Sequence, residues 1–197
     1  MQVLNLEQNS VDWHEHRKHY INASEIAAIM GLNPFESKKQ LFKRKLFEEK
    51  IETNGAMRHG RRLEPEARNF FNEIKKINFK PMVFVKNFIS ASLDGWDENT
   101  CSLLEIKCPI SCNTQTWRNF FLHDKIPMFY YAQIQAQLYC SEAKKAFFLV
   151  YQTYQKVKAK EISRDDLFIK QMYYECGIFF DILTKAKQIL AQLKNKV

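Results

Sequence analysis

The chain has 197 residues, of which 46% are hydrophobic, and its formal net charge at pH 7 is +8. This length and composition predict one folded domain, and the absence of any run of eighteen apolar residues excludes a membrane-spanning helix. The N-terminus lacks the basic start and the apolar run of a signal peptide, so we expect a cytoplasmic protein. A basic surface suits a polyanionic partner, chiefly nucleic acid, although the charge alone fits an ordinary basic protein equally well.

The first part of the chain, residues 1–78, is predicted to be mainly helical. Apolar residues at helical spacing predict helices at 22–30, 37–47 and 55–74. Pro65 lies inside the third of these helices, and proline removes a backbone donor. We therefore expect this helix to start or kink at Pro65.

The middle of the chain, residues 79–163, is predicted to form the sheet core. Short apolar runs between turn residues predict strands at 82–86, 89–94, 103–108, 146–153 and 157–162, with helices at 113–122 and 127–140. A helical segment, residues 164–197, follows. This order predicts a single α/β domain spanning residues 1–197, with a mixed central β-sheet flanked by helices on both faces.

The five cysteines argue against a disulfide framework and against a metal–sulfur site. Their number is odd, and no two C-x-x-C pairs occur. We interpret them as the reduced thiols of a cytosolic protein.

Residues 94–107 contain the most informative pattern, an aspartate followed after ten residues by Glu-x-Lys. Because alternate residues of a strand share a face, Glu105 and Lys107 should project together, with Ile106 turned into the core. Two carboxylates and an ammonium at one place suit a hydrolytic site. The carboxylates would hold a hard divalent cation, and the lysine would position or deprotonate water. Taken alone, Asp94 would be an ordinary turn residue and Lys107 the surface partner of Glu105.

A third carboxylate and an amide are further candidates. Glu64 and Glu66 both lie beside Pro65, and the sequence alone does not choose between them. Gln133 could hydrogen-bond an attacking water or a phosphate oxygen, or it could belong to a polar helix face shared with Gln137.

Arg17 and Ser24 are candidates for an anion site. A hydroxyl near the start of a helix and a nearby guanidinium can bind one phosphate together. The ordinary interpretation of Ser24 is a helix N-cap.

Six motifs occur in order along the chain: Trp13 to Arg17, Ala23-Ser24-Glu25-Ile26 with Gly31, Gly60 with Glu64-Pro65, Ser92-Leu93-Asp94-Gly95, Leu104 to Pro109, and Tyr131 to Gln135. Together they resemble the lambda exonuclease / YqaJ-type viral recombinase family of the PD-(D/E)XK nuclease superfamily, and the match covers about residues 11–155. The resemblance implies a restriction-endonuclease-like core.

The resemblance also assigns roles. It implies that Asp94, Glu105 and the Ile106 carbonyl bind metal, and that Glu64 acts at the metal site directly or through water. Lys107 corresponds to the catalytic lysine and Gln133 to the active-site glutamine.

The remaining implications concern DNA ends and one departure from the family pattern. Arg17 and Ser24 correspond to a pocket for the terminal 5′-phosphate. Leu93 stands where the superfamily name has proline, a mild departure because that proline is not a ligand.

The family implies that one strand of linear double-stranded DNA is degraded from 5′ to 3′ with two Mg²⁺ ions, for which Mn²⁺ can substitute. The resulting 3′ overhangs would serve phage-type recombination by single-strand annealing. A ring-shaped trimer, a single-strand annealing protein as partner, and the cytoplasm of a bacterial or phage-infected cell are also implied. The cysteines lack the four-ligand arrangement of a family branch with an iron–sulfur cluster, so we expect no cluster.

Two alternatives stay open at this point. One is a structure-specific or restriction-type endonuclease on the same core. The other is a catalytically inactive DNA-binding module.

Overall fold

The computed structural model describes residues 1–194, which form a seven-stranded mixed sheet flanked by helices. The predicted fold class is therefore confirmed. The last three positions of the helical segment expected at 164–197 lie outside the described residues. Within the described range, no helix has the length and apolar character needed to cross a membrane.

The elements follow the predicted order closely. In chain order they are β1 (Gln2–Leu4), α1 (Val11–His19), β2 (Ile21–Asn22), a 3-10 helix (Ala23–Glu25), α2 (Ile26–Ile29), α3 (Lys38–Phe47), α4 (Gly55–Lys75), β3 (Lys80–Lys86), β4 (Ile89–Asp97), β5 (Ser102–Lys107), α5 (Gln115–His123), α6 (Met128–Ser141), β6 (Lys145–Thr153), β7 (Lys156–Ser163) and α7 (Asp166–Lys194).

Two features of the N-terminal part differ from the sequence-based expectation. Strands β1 and β2 lie in a region that was expected to be mainly helical, and both join the sheet. Helix α4 begins at Gly55, where the Asn54 side chain accepts a hydrogen bond from the Met57 amide, and it continues through Pro65. The helix expected at 55–74 is therefore confirmed, and a start at Pro65 is wrong, because the cap at Asn54 fixes the first turn ten residues earlier. A kink at Pro65 stays a prediction.

The main path of the sheet runs in the order β1-β3-β4-β5-β6-β7. Strands β5 and β6 are parallel, and helices α5 and α6 form the crossover between them. The other neighbours along this path are antiparallel.

Strand β4 shares one of its edges between two partners. Its last residues, Gly95 to Asp97, pair with β5, whereas its first residues, Ile89 and Ser90, pair in parallel with β2. Pairing with β5 ends at Gly95 and Leu104. Beyond this point the two strands part, and we call the resulting gap the fork.

A bulge in β4 lies at the mouth of the fork. Between neighbouring pairs of the ladder, β4 contains two residues, Asp94 and Gly95, where β3 contains only Pro81. Proline has no N–H to contribute to a ladder, which is why it is tolerated at bulges. A Cβ on Gly95 would lie 2.7 Å from the Phe79 Cβ, so the bulge requires glycine here. Bulges re-aim side chains, and here the affected side chain is that of Asp94.

The two faces of the sheet bury separate apolar clusters. On one face, residues of α2, α6 and α7 pack around Leu103 and its neighbours. On the other face, Ala67 and Phe71 of α4 pack against a cluster that includes Ile106. Ile106 therefore points into the core on the face opposite Leu103, as the alternation within β5 predicted.

Candidate active site

The fork gathers polar side chains from β4, β5 and α6. Asp94 accepts a hydrogen bond from the Ile106 amide through Oδ2, at 2.7 Å. The Lys107 ammonium donates to Oε1 of Glu105, and Gln133 Nε2 donates to the same oxygen at 2.7 Å. Four residues predicted from sequence, Asp94, Glu105, Lys107 and Gln133, thus lie together.

The four residues of this group differ in how deeply they are buried. The Glu105 residue is only 1% exposed, whereas Asp94 and Gln133 are partly buried. The Lys107 side chain is 23% exposed, and its Nζ lies 5.0 Å from the centroid of the Tyr130 ring. The aromatic face favours the ammonium, and the carboxylate beside it is shielded from bulk water.

Glu64, on α4, reaches the fork from the other face of the sheet. It forms an ion pair with Arg68 one turn later, and Arg68 Nε donates to the Asp94 carbonyl at 2.5 Å. Glu66 instead accepts from the Tyr151 hydroxyl at 2.5 Å and is exposed. Of the two carboxylates that the sequence left open, Glu64 is the one whose charge acts on Asp94.

The carboxylates at the fork repel one another. Burial, followed by the charges of Glu105 and Glu64, raises the pKa of Asp94 well above its ordinary value. Burial also raises the pKa of Glu64, and Glu105 adds to this effect while Arg68 opposes it. Burial disfavours the Lys107 ammonium, but the charge and hydrogen bond of Glu105, together with Tyr130 and Asp94, outweigh burial and raise the pKa of Lys107. Three carboxyl groups thus share the site with two cationic side chains, those of Lys107 and Arg68.

The donor chemistry of the fork fits a hard divalent cation, although no group of three or more His, Cys, Asp or Glu residues within 1–194 is preassembled to hold one. Carboxylate oxygens are the ligands that Mg²⁺ and Ca²⁺ prefer, and a cation would relieve the repulsion that acts on Asp94 and Glu64. A carboxylate offers about four acceptor positions. Three are used on Glu105, by Lys107, Gln133 and Gln137. The role of the Ile106 carbonyl stays a prediction.

Arg17 and Ser24 also lie together, beside the same strand. Arg17 Nη2 donates to Ser24 Oγ at 3.1 Å, and the guanidinium lies 4.5 Å from the centroid of the Trp13 ring. Trp13 Nε1 in turn donates to Ser92 Oγ at 2.8 Å. Ser92 precedes Asp94 by two residues, about 7 Å along a strand. The candidate anion pocket is therefore attached to β4 two residues before the Asp94 carboxylate.

A buried glutamate supports this pocket, and the sequence analysis gave it no role. Glu25 is 5% exposed and accepts from the Asn22 amide and from Lys45 Nζ, both at 2.9 Å. Burial alone would raise the pKa of Glu25, but Lys45 and then Arg17 lower it. The Asn-x-x-Glu spacing of a capping box was the available signal.

Two further residues of the fork were missed, Gln137 and Arg68. Each lies four residues after a predicted site residue on the same helix, Gln133 or Glu64. Residues at that spacing share a helix face, so helix geometry alone was the signal.

Comparison with protein-family models identifies the family of this chain. The family model of the YqaJ-like viral recombinase domain matches residues 12–144. A search of curated protein sequences found no match.

Solved structures share the fold over nearly the whole chain. An alkaline exonuclease from Laribacter hongkongensis is 25% identical, with a TM-score of 0.81 over 95% of this chain and 99% of that chain. The same exonuclease in complex with dAMP gives 24% identity and a TM-score of 0.82, with the same coverage. A phage-related exonuclease from Haemophilus somnus 129PT is 14% identical, with a TM-score of 0.68 over 88% of this chain and 96% of that chain.

The resemblance drawn from the sequence motifs is thus confirmed by a match that extends over more than half of the chain. The chain belongs to the YqaJ-like viral recombinase domain family.

Proposed function

We propose that this protein is a metal-dependent deoxyribonuclease that degrades one strand of linear duplex DNA from 5′ to 3′. The observation that carries the proposal is the convergence of Asp94, Glu105, Lys107 and Gln133 at the fork between β4 and β5. Membership of the viral recombinase family and the likeness to an alkaline exonuclease support nuclease activity.

Asp94, Glu105 and the Ile106 carbonyl are the proposed metal ligands, with Glu64 acting directly or through water. Two Mg²⁺ ions, or Mn²⁺ in their place, would supply Lewis-acid activation of water and neutralise the leaving 3′-oxygen. The mutual repulsion of the carboxylates supports cation binding at this place.

The remaining groups of the site act on the attacking water and on the phosphate. The Lys107 ammonium, held by Glu105 and by the face of Tyr130, orients the water and stabilises the charge that builds on the phosphoryl oxygens. The Gln133 amide fixes one oxygen of Glu105 and hydrogen-bonds the attacking water.

Recognition of the DNA end is assigned to Arg17 and Ser24, which bind a terminal 5′-phosphate. A guanidinium and a hydroxyl already 3.1 Å apart can both donate to phosphate oxygens. The stacking of Arg17 on Trp13 supports a fixed direction for the guanidinium.

The biological setting follows from the family. We propose that residues 1–197 form a single nuclease domain whose 3′ overhangs feed recombination by single-strand annealing. The partner is a single-strand annealing protein, and the assembly is a ring-shaped trimer in the cytoplasm of a bacterial or phage-infected cell. The viral recombinase character of the family supports this setting.

The test is digestion of linear duplex DNA with and without a 5′-phosphate, in Mg²⁺, Mn²⁺ or EDTA. We expect loss of one strand from its 5′ end in either metal, faster loss from phosphorylated ends, and no cleavage in EDTA. A closed circular duplex should stay whole. Cleavage of the circle would instead support an endonuclease, and inertness on every substrate would support a DNA-binding module.

A further inference from the structure

Gln137 is a buried amide on α6 that the proposed mechanism does not use. Its side chain is inaccessible to solvent, and Nε2 donates to Oε2 of Glu105 at 2.5 Å. The same nitrogen donates at 3.3 Å to the carbonyl of Ser92 on β4. One amide therefore connects a carboxylate of β5 to the backbone of β4 across the fork.

The two glutamines of α6 each donate to a different oxygen of the Glu105 carboxylate. Gln133 donates to Oε1 and Gln137, one turn later, donates to Oε2. Residues four apart lie on one helix face, so the carboxylate is held at both oxygens by a single rigid element. Its rotation about the terminal torsion is thereby restricted.

The Gln137 amide is hydrogen-bonded through its nitrogen only. Its Oε1 is buried, and it has no hydrogen-bond partner among the residues that the structure describes. A buried carbonyl without a partner costs free energy, and the hydrogen bonds that Nε2 donates to the Glu105 carboxylate and the Ser92 carbonyl offset that cost. Local conflicts of this kind are expected at functional positions.

We propose that Gln137 is a positioning residue, which sets the orientation of the Glu105 carboxylate for cation binding; this inference rests on the proposed function. Gln137 touches neither water nor phosphate in this role. It also fixes Glu105 relative to Ser92, whose hydroxyl anchors Trp13 of the candidate anion pocket.

The test is calorimetric titration of Mg²⁺ into the full-length protein without DNA, for the wild type and Gln137→Met. Methionine preserves length and apolar volume but cannot donate. We expect the Mg²⁺ dissociation constant to rise at least tenfold, kcat to fall at limiting Mg²⁺ and recover partly at high Mg²⁺, and KM for DNA to stay unchanged.

Gln135→Met is the matched control. Gln135 is equally buried on the same helix. Its Nε2 donates to the Ser163 carbonyl at 3.0 Å, and its Oε1 accepts from the backbone N–H of Asp165 at 2.9 Å. This variant should lower the melting temperature and leave the Mg²⁺ dissociation constant unchanged. If Gln137→Met does not fold, Gln137→Asn, whose shorter amide cannot reach both partners, takes its place in the titration.

The outcomes separate the two proposals. A Gln137 variant that binds Mg²⁺ as tightly as the wild type, with only its melting temperature lowered, assigns Gln137 a purely structural role and overturns this inference alone. A wild-type protein that binds no Mg²⁺ and cleaves no DNA overturns the proposed function and the inference with it.

Discussion

Asp94 and Ile106 are joined across the fork, because the Asp94 carboxylate accepts a hydrogen bond from the Ile106 N–H, which has no ladder partner on β4. Ladder pairing between these strands ends at Gly95, the residue after Asp94, and at Leu104, two residues before Ile106. A buried N–H needs an acceptor, and here a side chain supplies it. Asp94 consequently has a structural hydrogen bond as well as its proposed role as a metal ligand.

Asp94→Asn should separate these two roles, because asparagine can still accept from Ile106 but carries no charge. Relief of the repulsion from Glu105 and Glu64 should raise the melting temperature of the metal-free protein by about 2–4 °C, the change that 1 kcal/mol gives in a domain of this size. Added Mg²⁺ should stabilise the wild type and not the variant. The measurement is thermal denaturation in EDTA and in MgCl₂. Equal stabilisation of both proteins by Mg²⁺ would remove Asp94 from the metal site.

Lys107→Ala should abolish cleavage while the fold survives. The two glutamines still bind Glu105, so the carboxylate is not left without partners. Loss of a group that stabilises charge on the transferring phosphate costs at least about 100-fold in rate. Initial rates on phosphorylated linear duplex measure this, with circular dichroism to check folding. Lys145→Ala is the control, since Lys145 is an exposed lysine paired with Glu161 on the neighbouring strand. Near-native rates for Lys107→Ala would remove Lys107 from the mechanism.

Gly95→Ala should impair both folding and cleavage. The added Cβ would lie 2.7 Å from Phe79 Cβ and 3.1 Å from Leu104 Cβ, so the bulge that aims Asp94 must shift. Overpacking of this kind typically costs about 1–3 kcal/mol. Urea denaturation measures the stability, and the cleavage rate reports the displacement of Asp94. Gly60→Ala is the control, since a Cβ there has nothing within 4 Å. Unchanged stability in Gly95→Ala would show that the bulge adapts.

The fold could be predicted largely from local patterns. The helices expected at 37–47 and 127–140 are observed at Lys38–Phe47 and Met128–Ser141. They were predictable because the apolar spacing and the caps of a helix depend on residues that lie close together in the sequence. Strands β1 and β2 have only three and two residues, too few to show the alternation of apolar and polar residues that predicts a strand. Their pairing with β3 and β4 is a tertiary property that no local window contains.

In the site, too, neighbours in sequence were predictable and contacts between distant segments were not. Glu105 and Lys107 were predictable as neighbours because two positions along one strand share a face. The choice of Glu64 over Glu66 required the packing of α4 across the fork. The role of Glu25 depends on Lys45, which lies twenty residues away on another helix. Such contacts between distant segments carry no signal in one sequence.

Arg17→Ala should weaken the action on 5′-phosphorylated ends selectively. A hydrogen bond to a charged group contributes about 1.5–3 kcal/mol, so kcat/KM on phosphorylated ends should fall about 10- to 100-fold. Ends with a 5′-hydroxyl should change little. Arg17→Lys should recover only part of the loss, because an ammonium cannot stack on Trp13 as a planar guanidinium does.

The comparison uses matched duplexes that differ only in the terminal phosphate. Lys18→Ala is the control, since Lys18 is the next residue but pairs with the exposed Glu15. An equal loss on both kinds of end would argue against a phosphate pocket at Arg17.

Glu25→Gln should destabilise the protein in a manner that depends on pH. The variant leaves Lys45 buried without its counter-charge, which costs about 3 kcal/mol at pH 7. The folded-state pKa of Glu25 is lower than its ordinary value of 4.5, so the charged form is favoured by folding. Its contribution to stability is therefore fully present above pH 4.5 and is lost as the pH falls through the lower folded-state pKa.

Urea denaturation of wild type and Glu25→Gln at a series of pH values tests this dependence. The difference in unfolding free energy should be constant between pH 6 and 8 and should shrink steadily below pH 4.5, since protonation makes Glu25 as neutral as glutamine. Glu161→Gln, which breaks the exposed pair with Lys145, should show almost no difference at any pH, because exposed pairs contribute little. If the difference in unfolding free energy instead grew as the pH fell, the pH dependence would have the opposite sign. The buried carboxyl of Glu25 would then be favoured in its protonated form.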